Sequence, residues 1–136
     1  MSTRSRIGIQ LSDESILSVY HHWDGYPTWL GKVLNTHYSS KEKVAELIDG
    51  GDMSTCWSDS IWGDKLPEGE YAPEYYSARG EDCPPRLDNN LSEYFRDSEE
   101  YSYIFRDGAW MCYDMHEFDD SKQPELVDVP SVPLSN

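Results

Sequence analysis

The stretch SVYHHWDGYPTWLGKVL, Ser18–Leu34, decides the fold, because within it the apolar period changes from two to about 3.6. Upstream, Ile7, Ile9 and Leu11 alternate with Arg6, Gly8 and Gln10, the pattern of a half-buried strand. Ser12-Asp13-Glu14 is a polar turn, and Ser15–Trp23 returns as the second strand of a hairpin. Leu17, Val19, His21 and Trp23 form its expected core face, with Ile16, Ser18, Tyr20 and His22 opposite. Asp24-Gly25 turns the chain, glycine accepting a positive φ, and Pro27 suits the opening of a helix, where an N–H would be unpaired. Trp29, Leu30, Val33, Leu34, His37 and Tyr38 recur at helical spacing, which predicts a helix over Thr28–Tyr38.

Working outward, Ser39-x-x-Glu42 reads as a capping box for a second helix running to Ile48, ended by Gly50-Gly51. Residues 52–90 read mostly as loop, with a strand near Glu74–Ala78, and Asn90 or Ser92 can start a short helix through Phe95. Tyr101–Arg106 and Ala109–Tyr113, joined by Asp107-Gly108, predict a hairpin with a type I′ turn. The expected fold class is α+β: an antiparallel sheet from N- and C-terminal hairpins, with two short helices packed on one face. One domain is expected over residues 1–115, followed by an acidic, proline-containing extended tail over residues 116–136.

Composition limits the function classes. The 136 residues carry a formal net charge of −15, yet 13% of them are aromatic, including five Trp and ten Tyr. Disordered acidic chains are poor in aromatics, so this chain is expected to fold with its acid outside. Residues 1–68 hold 10 Asp/Glu to 6 Lys/Arg, whereas residues 69–136 hold 16 to 5. Such a surface repels nucleic acid and anionic lipid, so direct nucleic-acid or membrane binding is not expected. It suits a partner with a basic surface, or serves solubility alone. Cys56, Cys83 and Cys112 are odd in number, widely spaced and free of any CxxC pair, which predicts reduced thiols in a cytosol. The N-terminus lacks a signal-peptide apolar region, and no run approaches the roughly 18 apolar residues of a membrane span.

Four constellations could carry chemistry. His21, His22, Asp24, His37 and His116 are metal-ligand types, but strand phase sends His21 and His22 to opposite faces; no metal site and no cofactor is expected. His22 with Asp24 or Glu81 could form an acid–base pair, but no activated Ser or Cys nucleophile stands beside it, and no catalytic residue is assigned. A polar-aromatic pocket at the end of the sheet could draw on Arg4, His22, Trp23, Tyr26 and Arg79, with Arg6 as a further cation. Aromatic rings would stack on a base and arginine would meet phosphate; the competing reading pairs each arginine with a local carboxylate. Finally, Glu81, Asp82, Asp97, Glu99, Glu100, Asp114, Glu117, Asp119 and Asp120 could present carboxylates to a basic groove, or be a solvated face.

Thr3-Arg4-Ser5 opening a strand, then Val19-Tyr20-x-His22-Trp23-Asp24-Gly25-Tyr26, resembles a family of small uncharacterised proteins of tailed bacteriophages and prophages. His37-Tyr38, Leu47–Ser54, Arg79-Gly80-Glu81 and the hairpin Tyr101–Trp110 match further elements of that family. The resemblance implies a phage accessory protein acting in the cytoplasm of a bacterial host, and it supplies setting rather than mechanism. The expected function is non-enzymatic: binding and modulating a host protein with a basic surface, as an acidic DNA-mimicking inhibitor of a defence or nucleic-acid enzyme. The alternatives are a binder of a nucleotide-like small molecule and, more weakly, a metal-assisted hydrolase; the oligomeric state, including a homodimer, is left open.

Overall fold

The computed structural model describes residues 3–116 and 125–127. Strands β1 (Ser5–Gln10) and β2 (Ile16–His21) form the first hairpin, in antiparallel register from Ser5↔His21 to Gln10↔Ile16. Leu17, Val19 and His21 face the principal core as read, but Trp23 lies past the strand end and is 47% exposed. The turn after it inverts the expected roles. Asp24 takes the positive φ of 52°, while Gly25 is required for space: a Cβ there would sit 2.8 Å from the Thr3 carbonyl oxygen.

The expected helix over Thr28–Tyr38 is split. A π-helical turn, Pro27–Gly31, opens on the proline and runs directly into α1 (Lys32–His37). Helix α2 (Lys41–Asp49) starts one residue later than the capping box implied: Ser40 Oγ, not Ser39, accepts from the Lys43 N–H. Leu30, Val33, Leu34, Val44, Leu47 and Ile48 pack from these helices onto Ile7, Ile9 and Val19.

The segment read as loop is largely structured. It holds β3 (Met53–Ser58), the small hairpin β4 (Ser60–Ile61) and β5 (Asp64–Lys65), β6 (Ala72–Tyr75), a 3-10 turn at Tyr76–Arg79, and β7 (Arg86–Asp88). The Ser- and Thr-rich β3 carries little apolar alternation, and its pairing with β6 shifts register twice, so periodicity concealed β3, whereas β6 overlaps the strand expected near Glu74–Ala78 but lies two to three residues earlier. Helix α3 (Leu91–Arg96) begins on Asn90, whose side chain accepts from the Glu93 N–H.

The second hairpin, β8 (Tyr101–Arg106) and β9 (Ala109–Asp114), has Arg106 opposite Ala109. Its two loop residues, Asp107 at φ 53° and Gly108 at φ 77°, supply the positive angles of a type I′ turn. Glu125–Val127, inside the segment expected as a tail, adds to β9 as the edge strand β10; the other residues from 117 onward lie outside the described residues.

The fold is α+β, with the strand order β10-β9-β8-β1-β2-β3-β6 and β7 alongside β2. Two joints correct the expectation of a wholly antiparallel sheet. The π turn, α1 and α2 form a crossover that returns β3 parallel to β2, and β1 lies parallel to β8 from Ser5↔Tyr101 to Ile9↔Phe105. The two expected helices, α1 and α2, do share one face. α3 covers the opposite side, where Ile16, Tyr94, Phe95, Ile104 and Met115 form a second apolar cluster. No described helix is long and apolar enough to cross a membrane.

Gly8 is where this second layer comes closest to the sheet. A Cβ there would lie 2.9 Å from Ile16 Cγ2 and 3.3 Å from both Tyr94 Cζ and the Tyr103 carbonyl oxygen. Gly8→Ala is therefore expected to destabilise the protein by about 1–3 kcal/mol through overpacking, seen as a lower urea midpoint with an unchanged m-value.

Candidate functional site

Register aligns one row across six strands: Asp114, Tyr101, Ser5, His21, Met53 and Tyr75. One residue beyond that row, on β8, β1 and β2, stand Glu100, Arg4 and His22, while Asp52 and Tyr76 lie one residue to its other side, level with Tyr20, so both borders of the row carry a rim of polar and ionisable side chains. Chain segments almost a hundred residues apart meet here. The Arg4 N–H donates to Glu100 Oε2 at 2.8 Å, and His116 Nε2 stands 3.5 Å from Glu100 Oε1. His116 Nδ1 shares a 2.6 Å hydrogen bond with Asp114 Oδ1, which raises the imidazole pKa above its ordinary value. Burial alone would raise the Asp114 carboxyl, but the bonds from the His116 backbone and ring outweigh it and hold that carboxyl low.

At the middle of the rim, Tyr20 Oη and His22 Nδ1 share a 2.6 Å hydrogen bond, and the Tyr20 N–H donates to Asp52 Oδ1 at 2.9 Å. Burial first, then Glu99, Tyr76 and Asp52, push the Tyr20 hydroxyl upward against the opposing pull of Arg4, so it stays protonated. Trp23 sets its indole edge-on to His22, with ring centres 4.7 Å apart. Tyr26 is 37% exposed at the entry to the π turn. Arg79 is occupied elsewhere. Its guanidinium lies 4.2 Å above the Trp62 ring and 5.1 Å from Tyr76, and it forms an ion pair with Glu81. Arg6 is buried on the α3 face, where it donates to Ser18 Oγ and the Ser18 carbonyl. The five ligand-site residues are thus distributed over the Arg4–His22–Trp23 end of the sheet, the entry to the π turn and the 3-10 turn, and Arg79 is not brought to the others.

Of the carboxylates proposed as a partner surface, Asp82 and Asp97 are exposed, Glu81 is engaged by Arg79, and Glu99, Glu100 and Asp114 belong to the rim. The Asp97 carbonyl accepts from Arg86 Nη1, which ties the end of α3 to β7. Glu117, Asp119 and Asp120 lie outside the described residues.

A second concavity escaped the sequence reading. A cleft of about 510 Å³ opens between α2 and the β3–β6 ladder. Along it His37 stacks on Trp57 at 3.7 Å between ring centres, and Trp57 stacks nearly parallel to Tyr71 at 5.1 Å. Burial, then Lys43, lowers the His37 pKa and keeps that ring neutral. Tyr71 comes from a loop with no periodic pattern, so only the density of aromatics between residues 57 and 76 hinted at the site.

His21 and His22 do point to opposite faces. His21 is wholly buried, and its Nε2 accepts from the Cys56 N–H at 3.1 Å, which places its proton on Nδ1. Among the described residues no group of three or more His, Cys, Asp or Glu side chains is arranged to hold a metal ion. Cys56 and Cys112 are buried, and burial raises both thiols, Cys112 up to about 12. Cys83 is raised as well, by burial and then by Asp52, Glu81 and Asp82. No thiolate is poised for attack in any of these three surroundings.

Burial, then the charge of His22, depresses the His21 pKa from 6.5 to about 3. Between those two values the unfolded chain binds a proton that the folded chain excludes, so His21 lowers stability as pH falls through that window. His21→Gln keeps an acceptor for the Cys56 N–H and is expected to flatten the fall. Urea midpoints of the two proteins at pH about 7 and about 4.5 check this; parallel losses would show that His21 does not carry the effect.

No family model, curated protein or solved structure matches this chain, so the chemistry of both regions rests on the residues themselves.

Proposed function

We propose that the protein is a non-enzymatic binder that occupies a basic surface on another protein, in the setting of a phage accessory protein modulating a bacterial host. One observation carries this reading: carboxylates outnumber cations more than two to one, and several of the cations are committed to single local partners. The chain has 26 Asp and Glu against 11 Lys and Arg. Among the described residues Lys65 pairs with Asp59, Arg79 with Glu81 and Arg86 with Asp88, while Arg6 is buried. What remains outward, including Asp82 and Asp97, offers a negative field to a cationic partner. A surface that normally contacts nucleic-acid phosphates fits this description, which makes mimicry of DNA the natural form of inhibition.

The alternative of a nucleotide-like ligand loses support at Arg79 and Arg6, while Arg4 stays exposed. Arg79 already serves Glu81, Trp62 and Tyr76, and Arg6 is inaccessible.

Affinity capture from a bacterial host at two ionic strengths tests the proposal. A basic, nucleic-acid-binding protein should be retained at low salt and released at higher salt, because exposed charges are screened beyond roughly 10 Å at 0.1 M. Reversal of two exposed carboxylates, Asp82→Lys with Asp97→Lys, should slow association roughly tenfold without lowering the melting temperature. Retention that is indifferent to salt and to this reversal would overturn the charge-based reading.

A further inference from the structure

We propose that the cleft between α2 and the β3–β6 ladder receives the guanidinium of an arginine side chain presented by that basic partner, an inference that rests on the acidic-binder function above. The cleft has the size of a small-ligand site, about 510 Å³. Its walls combine two features that seldom coincide on a surface used only for solubility: aromatic rings with fixed orientation, and carboxylates with no cation of their own.

The rings are fixed by their polar tips. Tyr38 Oη donates to the Cys56 carbonyl at 2.9 Å, and Tyr75 Oη donates to the Leu47 carbonyl at 2.7 Å. Both hydroxyls are therefore spent on the backbone, and the rings offer π surface instead of donors. Trp57 stacks with His37 and with Tyr71, and Tyr38 meets it edge-on at 6.4 Å. A flat cation stacks on or beside such rings more readily than a compact, strongly hydrated ammonium does.

The carboxylates come from α2. Glu46 and Asp49 are exposed three residues apart on one helix face, and both line the cleft. Among the described residues neither has a cation within ion-pair distance. Glu46 acts electrostatically on the hydroxyls of both Tyr38 and Tyr75, and Asp49 on that of Tyr75, so their charge reaches the aromatic wall. Against these two charges stands Lys43 alone, since His37 is neutral. The cleft therefore repels phosphate and carboxylate ligands. A guanidinium can stack on the rings while its N–H fork donates to a carboxylate, which satisfies both walls at once.

The test titrates the full chain with a short peptide bearing one arginine, and with peptides carrying citrulline or lysine in its place. Citrulline preserves the planar shape and removes the charge; lysine preserves the charge and removes the plane. The arginine peptide should change the tryptophan emission and bind at least about tenfold more tightly than either control. Trp57→Phe should abolish the emission change, and Glu46→Gln with Asp49→Asn should erase the preference for arginine while leaving the melting temperature unchanged. Equal binding of the citrulline peptide, an unaltered preference in the double variant, or tighter binding of a mononucleotide than of the arginine peptide would each overturn the proposal. A failed peptide titration with salt-sensitive capture intact removes only the cleft; arginine binding without any captured partner removes only the acidic-binder reading.

Discussion

The parallel pairing of β1 with β8 holds the molecule together, because it joins two hairpins that would each be marginal alone. An isolated two-stranded hairpin buries too little apolar surface to persist in water. Once joined, β1 has strands on both sides, layers on both faces, and every residue from Ser5 to Ile9 buried. The same pairing brings Ile104 and Ile16 beneath α3 and Phe105 and Tyr103 beneath the other helices. Its partners are more than 95 residues apart, so the joint closes a long loop and belongs to the slow, non-local class of contacts. Gly8 is the local condition for it. The residue reads as a polar-face filler in sequence, yet its missing side chain lets Tyr94 approach the sheet and donate to the Tyr103 carbonyl at 2.8 Å.

This explains which parts of the fold the sequence reveals. Hairpins and helices are local, and their signals survive in short windows: Asp107-Gly108 specified its turn, and the alternation of Ile7, Ile9, Leu17 and Val19 identified the face of the principal core. The joint between hairpins has no local signature. Nor does the second apolar layer, because Arg6 and Ser18 share that face with Ile16 and make it read as polar. Arg6 is tolerated there because Ser18 accepts from its guanidinium and Asp52 and Asp88 lie within electrostatic reach. At the Asp24-Gly25 turn the residue types were informative but their roles were exchanged. Aspartate also tolerates the left-handed region, and glycine was needed for the close passage of Thr3 and Ser5.

The rim shows the same limit for function. Strand phase separated His21 from His22 correctly, since that depends only on neighbouring residues. The meeting of Arg4, Glu100 and His116 depends instead on register across β1, β8 and β9, which a single sequence does not contain. Several arginines, Arg86 among them although it drew no notice in the sequence, divide accordingly. Arg79 stays with Glu81, two positions away, and Arg86 with Asp88, also two positions away, while Arg6 is taken into the second layer. In an acidic chain a cation meets a carboxylate almost wherever it lies, so a lone arginine is weak evidence of an anion site.

The aromatic residues answer a difficulty created by the charge. A chain with 26 carboxylates cannot place them in its core without unpaired buried charge, and their mutual repulsion opposes compaction. Its long-range ties are made instead by the neutral tips of tyrosine and tryptophan. Tyr38, Tyr75, Tyr94 and Tyr103 donate to the carbonyls of Cys56, Leu47, Tyr103 and Gly25, and Trp62 and Trp110 donate to those of Tyr75 and Tyr38. Each bond satisfies a backbone acceptor, often on a separate element, while the ring beneath it excludes water. Burial raises all four of these tyrosine hydroxyls, so they keep their protons through the neutral range and the ties do not depend on the ionic state of the surface. The outer charge is consequently free to vary with salt and partner while the scaffold stays fixed. Tyr38 and Tyr75 belong both to this scaffold and to the wall of the cleft, which gives the concavity lined by Glu46 and Asp49 a rigid aromatic side.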